Sequence, residues 1–347
     1  GWMPGGLAIV SLIACAGFTA MTGATGITIV ALGALLYPAL TQAGYPKNFN
    51  LGLVTTSGSL GMLLPPSLAV ILYDFFARTS MPSGVIAPTL GEQFTAGLLP
   101  TLLMLVLLAG YSIFVARRIP ASAVQEKKSF SWQELKASLW AAKWEIPLPF
   151  VVLGGVLSGK VAPSEAAAVT VLYVLLVECV LLREVTATKL ANAMLECMKL
   201  VGAILIILGA ALAFANYLIG ESYPEQLLTW VKTAVESPVT FLLLLNLVLL
   251  VMGAVLEIYP AIVLGVPLIL PLALSYGIHP AHLGVIFLTN MQLGFYLPPI
   301  GMSLVIAAFR FKQSVMTLVR ASLPFFLLLF GALLLITYVP WLSLVWL

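Results

Sequence analysis

Long apolar runs separated by short polar punctuation cover most of this chain. They fall at residues 5–20, 27–40, 49–77, 94–115, 146–159, 165–182, 194–219, 241–256, 261–274, 283–309 and 319–347. A helix needs about 20 consecutive apolar residues to cross the hydrocarbon core of a bilayer. The runs at 94–115, 146–159, 165–182, 194–219 and 319–347 read as crossing helices. Those at 5–20 and 27–40 are too short to cross singly, and only Met21-Thr22-Gly23-Ala24-Thr25-Gly26 joins them. Two short helices with a small-residue turn read as a hairpin that enters the membrane and turns back. Residues 241–256 and 261–274, joined by Glu257-Ile258-Tyr259-Pro260, form a second such pair.

Each hairpin precedes a long apolar run with a break in its middle. The first break holds Ser57-Gly58-Ser59-Leu60-Gly61 and Pro65-Pro66; the second holds Gly294 and Pro298-Pro299. Pro-Pro occurs twice in the chain, each time ending the string L-G-x-x-L-P-P, at 60–66 and 293–299. The two strings are 233 residues apart, as are Pro38 and Pro271, and Gly44 and Gly277. Hairpin plus broken helix is therefore an internal repeat. Proline removes a backbone donor and clashes with the preceding turn. Carbonyls freed in this way are costly in hydrocarbon unless they are buried in protein or line a wet cavity. Paired broken helices in inverted repeats are used by carriers to hold cations on unwound carbonyls and to aim half-helix N-termini at anionic groups.

Charge adds orientation. If residues 117–145 are cytoplasmic and four helices separate the two broken ones, 13 of the 16 Lys and Arg residues fall on the cytoplasmic side and 3 on the other. Positive residues favour the cytoplasmic side. On this count the first hairpin enters from the cytoplasm and the second from outside, so the copies are inverted. Within the long polar stretch, Ser131-Trp132-Gln133-Glu134 has a capping-box pattern. Trp132, Leu135, Leu139, Trp140 and Trp144 follow at helical spacing. An interfacial amphipathic helix and a solvated linker helix both fit.

Composition agrees with a lipid-embedded chain: 61% of residues are apolar and 8% are charged, where soluble domains carry about 25% charged residues. No basic stretch interleaved with aromatics points to nucleic acid. Cys15, Cys179 and Cys197 form no C-x-x-C pair and read as buried, inert thiols. His279 and His282 have H-x-x-H spacing without a third ligand and read as loop histidines. No H-E-x-x-H, G-x-S-x-G or phosphate loop is present, and no enzyme constellation is expected. The start at Gly1 lacks a signal-peptide pattern and reads as that of a fragment or processed chain.

Hydroxyl and amide groups gather where the backbone is interrupted. Thr22 and Thr25 lie at the first hairpin turn, Ser57 and Ser59 at the first break, and Asn290 and Gln292 at the second. They are candidate solute and ion contacts, since hard oxygens suit sodium better than a transition metal; each also fits helix packing. Glu257, at the second turn, is the one acid placed near membrane depth. It reads either as a functional carboxylate or as a hairpin cap facing water.

At these residues the sequence resembles the large membrane subunit (M, or DctM-like) of TRAP transporters, the tripartite ATP-independent periplasmic carriers. The resemblance covers essentially the whole chain. It is carried by Gly5-Gly6-Leu7-Ala8, the Thr22-Gly23 turn, Leu60-Gly61 through Pro65-Pro66-Ser67, Pro163-Ser164-Glu165-Ala166-Ala167-Ala168, and Gly294 through Pro298-Pro299-Ile300-Gly301.

The resemblance implies an all-α integral membrane fold of inverted hairpin-plus-broken-helix repeats, of the elevator type, in the bacterial inner membrane. Its transport domain would comprise residues 1–78 and 238–312. Residues 79–237 would be scaffold and connecting helices, and 313–347 a C-terminal crossing helix. It implies sodium-driven import of an organic acid bearing a carboxylate. A periplasmic binding protein would deliver the solute and a small four-helix membrane subunit would complete the complex. By motif, one sodium would sit near Thr22 with backbone groups of Gly61, Leu64 and Pro66. A second, by repeat symmetry, would sit near Gly253, Gly294, Leu297 and Pro299. Thr22 stands where the family commonly has serine. Tyr296 and Leu297 stand where it often has a small residue and threonine. The family's first few helices have no counterpart here. A single-component anion/sodium symporter and, from another class, a channel or structural membrane subunit are the alternatives.

Overall fold

The structure, a computed structural model, describes residues 5–81, 85, 87–119, 131–144, 146–157 and 161–347. Among the described residues all regular structure is helical. Contacts divide the chain into two units, Gly1–Phe130 with Tyr217–Leu347, and Ser131–Asn216.

The first unit carries both repeats. Its first copy comprises α1 (Gly6–Thr22), α2 (Thr25–Gln42), α3 (Lys47–Ser57), a 3-10 turn (Leu60–Leu63) and α4 (Leu68–Thr79), followed by α5 (Leu90–Arg117). Its second copy comprises α11 (Pro238–Val255), α12 (Ile258–Ser275), α13 (Pro280–Gly294) and α14 (Met302–Phe311), followed by α15 (Val315–Tyr338) and a short α16 (Trp341–Leu344). The 233-residue offset holds at helix ends: α1 and α11 stop at Thr22 and Val255, α2 and α12 start at Thr25 and Ile258, and α3 and α13 start at Lys47 and Pro280. Gly44 and Gly277 both take positive φ, 82° and 74°. That left-handed conformation suits glycine, and it closes the turn between hairpin and broken helix in each copy.

Among the described residues seven helices are long and apolar enough to cross a membrane by length and composition, α1 not among them, and the pair Lys47–Leu63 and Leu68–Thr79 adds a span bent by 42°. Length alone would let α2, α11 and α12 cross. Tip position decides otherwise for the first hairpin. Gly23, at its tip, lies against Leu68, the first residue of α4. The hairpin therefore stops level with the break, and α4 continues about 18 Å beyond it.

Contacts also fix the relative direction of the copies. Along α2, Gly26 lies against Ile306, while Gly33 and Tyr37 lie against Phe311. So α14 leads from its break toward the end where the first hairpin opens, the proximal end. Tyr73 of α4 donates to the Pro280 carbonyl at 2.9 Å. So α13 starts at the distal end, toward which α4 runs. The first broken helix runs proximal to distal and the second runs distal to proximal: the repeats are inverted.

Burial follows lipid rather than water. Apolar side chains such as Leu35, Val106 and Phe309 face outward, while α13 is buried along its whole length with Thr289, Asn290 and Gln292 inside. Ile29, Leu51, Leu304, Ala307, Leu318 and Ala321 form a cluster that joins α2, α3, α14 and α15.

The second unit contains α6 (Trp132–Ala141), α7 (Pro147–Leu157), α8 (Pro163–Val174) with a π-helical turn (Leu175–Leu181), and most of α9 (Ala187–Gly220). The expected helix after Ser131 is present as α6, with Trp132 and Trp140 exposed and Lys143 Nζ 4.5 Å above the Trp140 ring. Its capping box rests on the Glu134 side chain, which lies outside what is described, as do residues 120–130 and 145 of the 117–145 loop. The 11 residues of α7 span about 16 Å, roughly half of the hydrocarbon thickness; residues 158–160 lie outside the described residues.

Three elements differ from the sequence reading. The amphipathic α10 (Tyr223–Ala234) was not expected, because Glu225, Gln226 and Lys232 interrupt its apolar residues. α9 extends seven residues before the expected run, through the charged first turns that hydropathy discounts. The final run is broken after Tyr338, with Pro340 ahead of α16. The cysteine reading is corrected too: Cys15 is buried, but Cys179 is half-buried and Cys197 exposed. In a lipid-facing helix an apolar stretch is not a buried one.

Candidate functional site

The two hairpin tips and the two breaks meet inside the first unit. Each break is pressed onto the first helix of its own hairpin. A Cβ on Gly61 would strike the Ala16 carbonyl oxygen and lie 2.5 Å from Ala20 N. A Cβ on Gly294 would lie 2.5 Å from Gly253 Cα. Only glycine permits such backbone approach, and Gly253 supplies the matching gap on α11. After each break the chain passes a cis Pro-Pro bond, Pro65-Pro66 and Pro298-Pro299. The second tip is tied down by Gly301 N–H, which donates to the Ala254 carbonyl at 3.1 Å.

Side chains take up the carbonyls that the first break frees. Thr19 Oγ1 donates to the Gly58 carbonyl at 2.7 Å. Tyr296, reaching across from the second break, donates to the Thr56 carbonyl at 2.7 Å and meets the Ser59 hydroxyl. Tyr259, at the second tip, donates to the Gly23 carbonyl at 3.0 Å. The two tyrosines link the copies at both levels, tip to tip and break to break. Neither was singled out as a contact from sequence. Only their location in the repeated segments marked them.

The expected sodium residues are distributed as follows. Thr22 ends α1 beside Gly23, and its Oγ1 is buried with no hydrogen-bond partner. The Gly61 and Leu64 carbonyls each accept one backbone bond, from Leu64 N and Ser67 N at 3.1 and 3.0 Å. A carbonyl has two lone pairs, so both retain capacity for a cation. Pro66 follows directly and is half-buried. The structure brings the elements bearing these four residues together. In the second set Gly253 and Gly294 touch, and the Gly294 carbonyl accepts from Leu297 N at 2.9 Å. Pro299 is exposed. Val255 occupies the place of Thr22, so this position brings no hydroxyl to the second set.

The expected solute contacts divide. Ser57 Oγ, Asn290 Oδ1 and Gln292 Oε1 are buried oxygens with no hydrogen-bond partner. Ser57 and Asn290 are equivalent under the 233-residue offset, as are Ser59 and Gln292. Such atoms call for a ligand or water. Ser59 is held by Tyr296 and the Thr56 carbonyl. Thr25 is buried at the start of α2. Glu257 caps α12, accepting from Tyr259 N at 3.2 Å, and is half-buried. It serves as a hairpin cap in this structure.

The histidine reading needs correction. His279 caps α13 through Nδ1, but His282 is not in a loop; it is buried on α13 with Nε2 3.3 Å from the Thr337 carbonyl. Asn246 was also missed. It sits in the apolar run of α11 and joins Asn290 and Thr337 in a buried hydrogen-bonded group.

Residues 1–342 match the family model described as tripartite ATP-independent periplasmic transporter, DctM component. The chain is 34% identical, over 99% of its length and 78% of the relative's, to the C4-dicarboxylate TRAP transporter large permease protein DctM of Pseudomonas aeruginosa. It is 30% identical, over 98% of its length and 52% of the relative's, to the isethionate TRAP transporter permease protein DctMQ of Oleidesulfovibrio alaskensis. Its fold resembles the crystal structure of the Alcanivorax borkumensis YdaH transporter, with a TM-score of 0.64 at 16% identity, covering 100% of this chain and 86% of that one.

Proposed function

The chain belongs to the DctM component family of the tripartite ATP-independent periplasmic transporters, whose members are large permeases of multi-pass membrane carriers, and from that membership we propose that it is the permease subunit of a sodium-coupled importer of organic acids. One observation carries the reading. Two inverted hairpin-and-break pairs converge, and buried oxygens without partners, Thr22 Oγ1, Ser57 Oγ and Gln292 Oε1 among them, lie on those same elements. Hard oxygens at unwound backbone suit an alkali cation. The first sodium is assigned to Thr22 Oγ1 with the carbonyls of Gly61, Leu64 and Pro66. The second is assigned to the Gly253–Gly294 contact with Leu297 and Pro299. Thr25, Ser57, Ser59 and Gln292 are assigned to the solute, an acid bearing a carboxylate.

Partners follow from the family. A periplasmic binding protein would deliver the solute, and a small four-helix membrane subunit would complete the carrier. The name DctMQ of the isethionate relative fits a permease joined to such a subunit. The membrane is read as the bacterial inner membrane, with the proximal end cytoplasmic. That end carries Lys47, Arg117, Arg118, Arg310, Lys312 and Arg320, and no acid lies in those segments. At the distal end Arg78 is paired with Asp74 at 2.7 Å. The excess of positive charge favours the cytoplasm. Carriage would move the hairpins and breaks together as one body, an elevator motion, because the tyrosine links join both copies.

The test is solute uptake into proteoliposomes holding the chain with its small subunit and binding protein. An inward sodium gradient is expected to drive accumulation that collapses when sodium is replaced by potassium. Accumulation indifferent to sodium refutes the coupling ion, and uptake at equal rate without binding protein refutes the tripartite reading.

A further inference from the structure

Asn290 of α13 and Asn246 of α11 face each other across the seam between the two helices, and Thr337 of α15 closes the group. Asn290 Nδ2 donates to the Ile286 carbonyl at 2.9 Å and to Asn246 Oδ1 at 2.7 Å. A backbone carbonyl only accepts, so Ile286 fixes which end of the Asn290 amide is nitrogen. Asn246 must then turn its oxygen toward Asn290. Its own Nδ2 is left to donate to Thr337 Oγ1 at 3.2 Å, and that hydroxyl lies 3.3 Å from Asn246 Oδ1. All three side chains are buried. Both protons of the Asn290 amide are spent inside the protein, and Oδ1 remains, buried with no hydrogen-bond partner.

Asn290 stands one helical turn before Gly294, which rests on Gly253 in the same seam. Its counterpart in the other copy, Ser57, also has a buried oxygen without a partner. We infer that Asn290 presents a bare carbonyl oxygen to an alkali cation at the second break, and that Asn246 and Thr337 are positioning residues that hold it as an acceptor. A carboxylate needs donors, and Asn290 has none left. A neutral hard oxygen suits sodium. This side chain supplies an oxygen that position 255 does not, since Val255 stands in the place of Thr22. The inference rests on the sodium-coupled reading and moves Asn290 from the solute contacts, where the sequence placed it, to the ion.

The test is a sodium titration of solute uptake by the complete complex in proteoliposomes, comparing the unaltered chain with Thr337→Val and Thr337→Ser. Valine removes the hydroxyl at nearly the same volume, and serine keeps it. Thr337→Val is expected to raise the half-saturating sodium concentration about five-fold, the equivalent of one ordinary hydrogen bond. The half-saturating solute concentration at saturating sodium should stay unchanged, and Thr337→Ser should behave as the unaltered chain. If Thr337→Val does not reach the membrane, Thr337→Ala, which adds no bulk, carries the same expectation. A variant without the hydroxyl that keeps the original sodium dependence, or changes only the solute dependence, overturns the inference while leaving sodium coupling standing. Sodium-indifferent uptake by the unaltered chain overturns both.

Discussion

The hydroxyl of Tyr259 donates to the carbonyl of Gly23 at 3.0 Å, joining the tips of hairpins that enter from opposite ends of the molecule. Tyr259 is buried, and Gly23 takes a positive φ of 68° that turns its carbonyl out of α1. Tyr259→Phe keeps the ring and removes the bond. A hydrogen bond of this kind contributes about 1 kcal/mol, so uptake is expected to fall roughly five-fold with the membrane-inserted amount unchanged. Initial uptake rates normalised to inserted protein read the effect.

Gly61 and Gly294 tolerate no side chain where they touch the first helix of each hairpin. Gly61→Ala and Gly294→Ala are each expected to lose nearly all uptake, and Gly61→Leu and Gly294→Leu to abolish it, with insertion retained. Gly110 and Gly331 have nothing within 4 Å of an added Cβ, and alanine there should leave uptake as it was. The four alanine variants measured side by side separate close approach from a general effect of replacing glycine.

Tyr296 and Ser59 act as one unit at the crossing of the breaks. Removing either hydroxyl, by Tyr296→Phe or Ser59→Ala, should slow transport. The double variant should be little worse than the singles, because residues in contact couple by about 0.5–3 kcal/mol. A double-mutant cycle on uptake rate measures it; fully additive losses would show that the hydroxyls act separately.

Much of this arrangement was legible in the chain. The L-G-x-x-L-P-P strings mark both breaks, and the 233-residue offset recurs in the starts of α2 and α12 and of α3 and α13, because sterics at Pro and Gly are local. Links between the copies were not legible. Tyr259 and Tyr296 lie over 230 residues from Gly23 and Ser59, and nothing in the local pattern says which carbonyl a tyrosine meets. Asn246 was hidden for another reason: one amide in an apolar run reads as an isolated exception until its partners on α13 and α15 are seen. α10 escaped because amphipathic helices lack the continuous apolar run by which the crossing helices were found.

Sidedness follows from the basic residues of the proximal end. A cysteine replacing Lys312 should be labelled by an impermeant maleimide only from the cytoplasmic side. One replacing Lys232, beside the distal end of α12 through the Tyr276–Val235 bond at 2.6 Å, should be labelled only from outside. Labelling of whole cells against inverted vesicles, with Cys15, Cys179 and Cys197 removed from the background, decides it.

On the proposed function, solute and sodium cross as one event at the paired tips and breaks. Tracer sodium and labelled solute counted together in the same proteoliposomes read this coupling. Sodium is expected to enter in fixed ratio with solute, and Thr22→Val, which removes the tip hydroxyl, should lower that ratio while Thr22→Ser keeps it. Solute entry with no accompanying sodium would overturn the coupling, and an unchanged ratio in Thr22→Val would overturn the role of the tip hydroxyl.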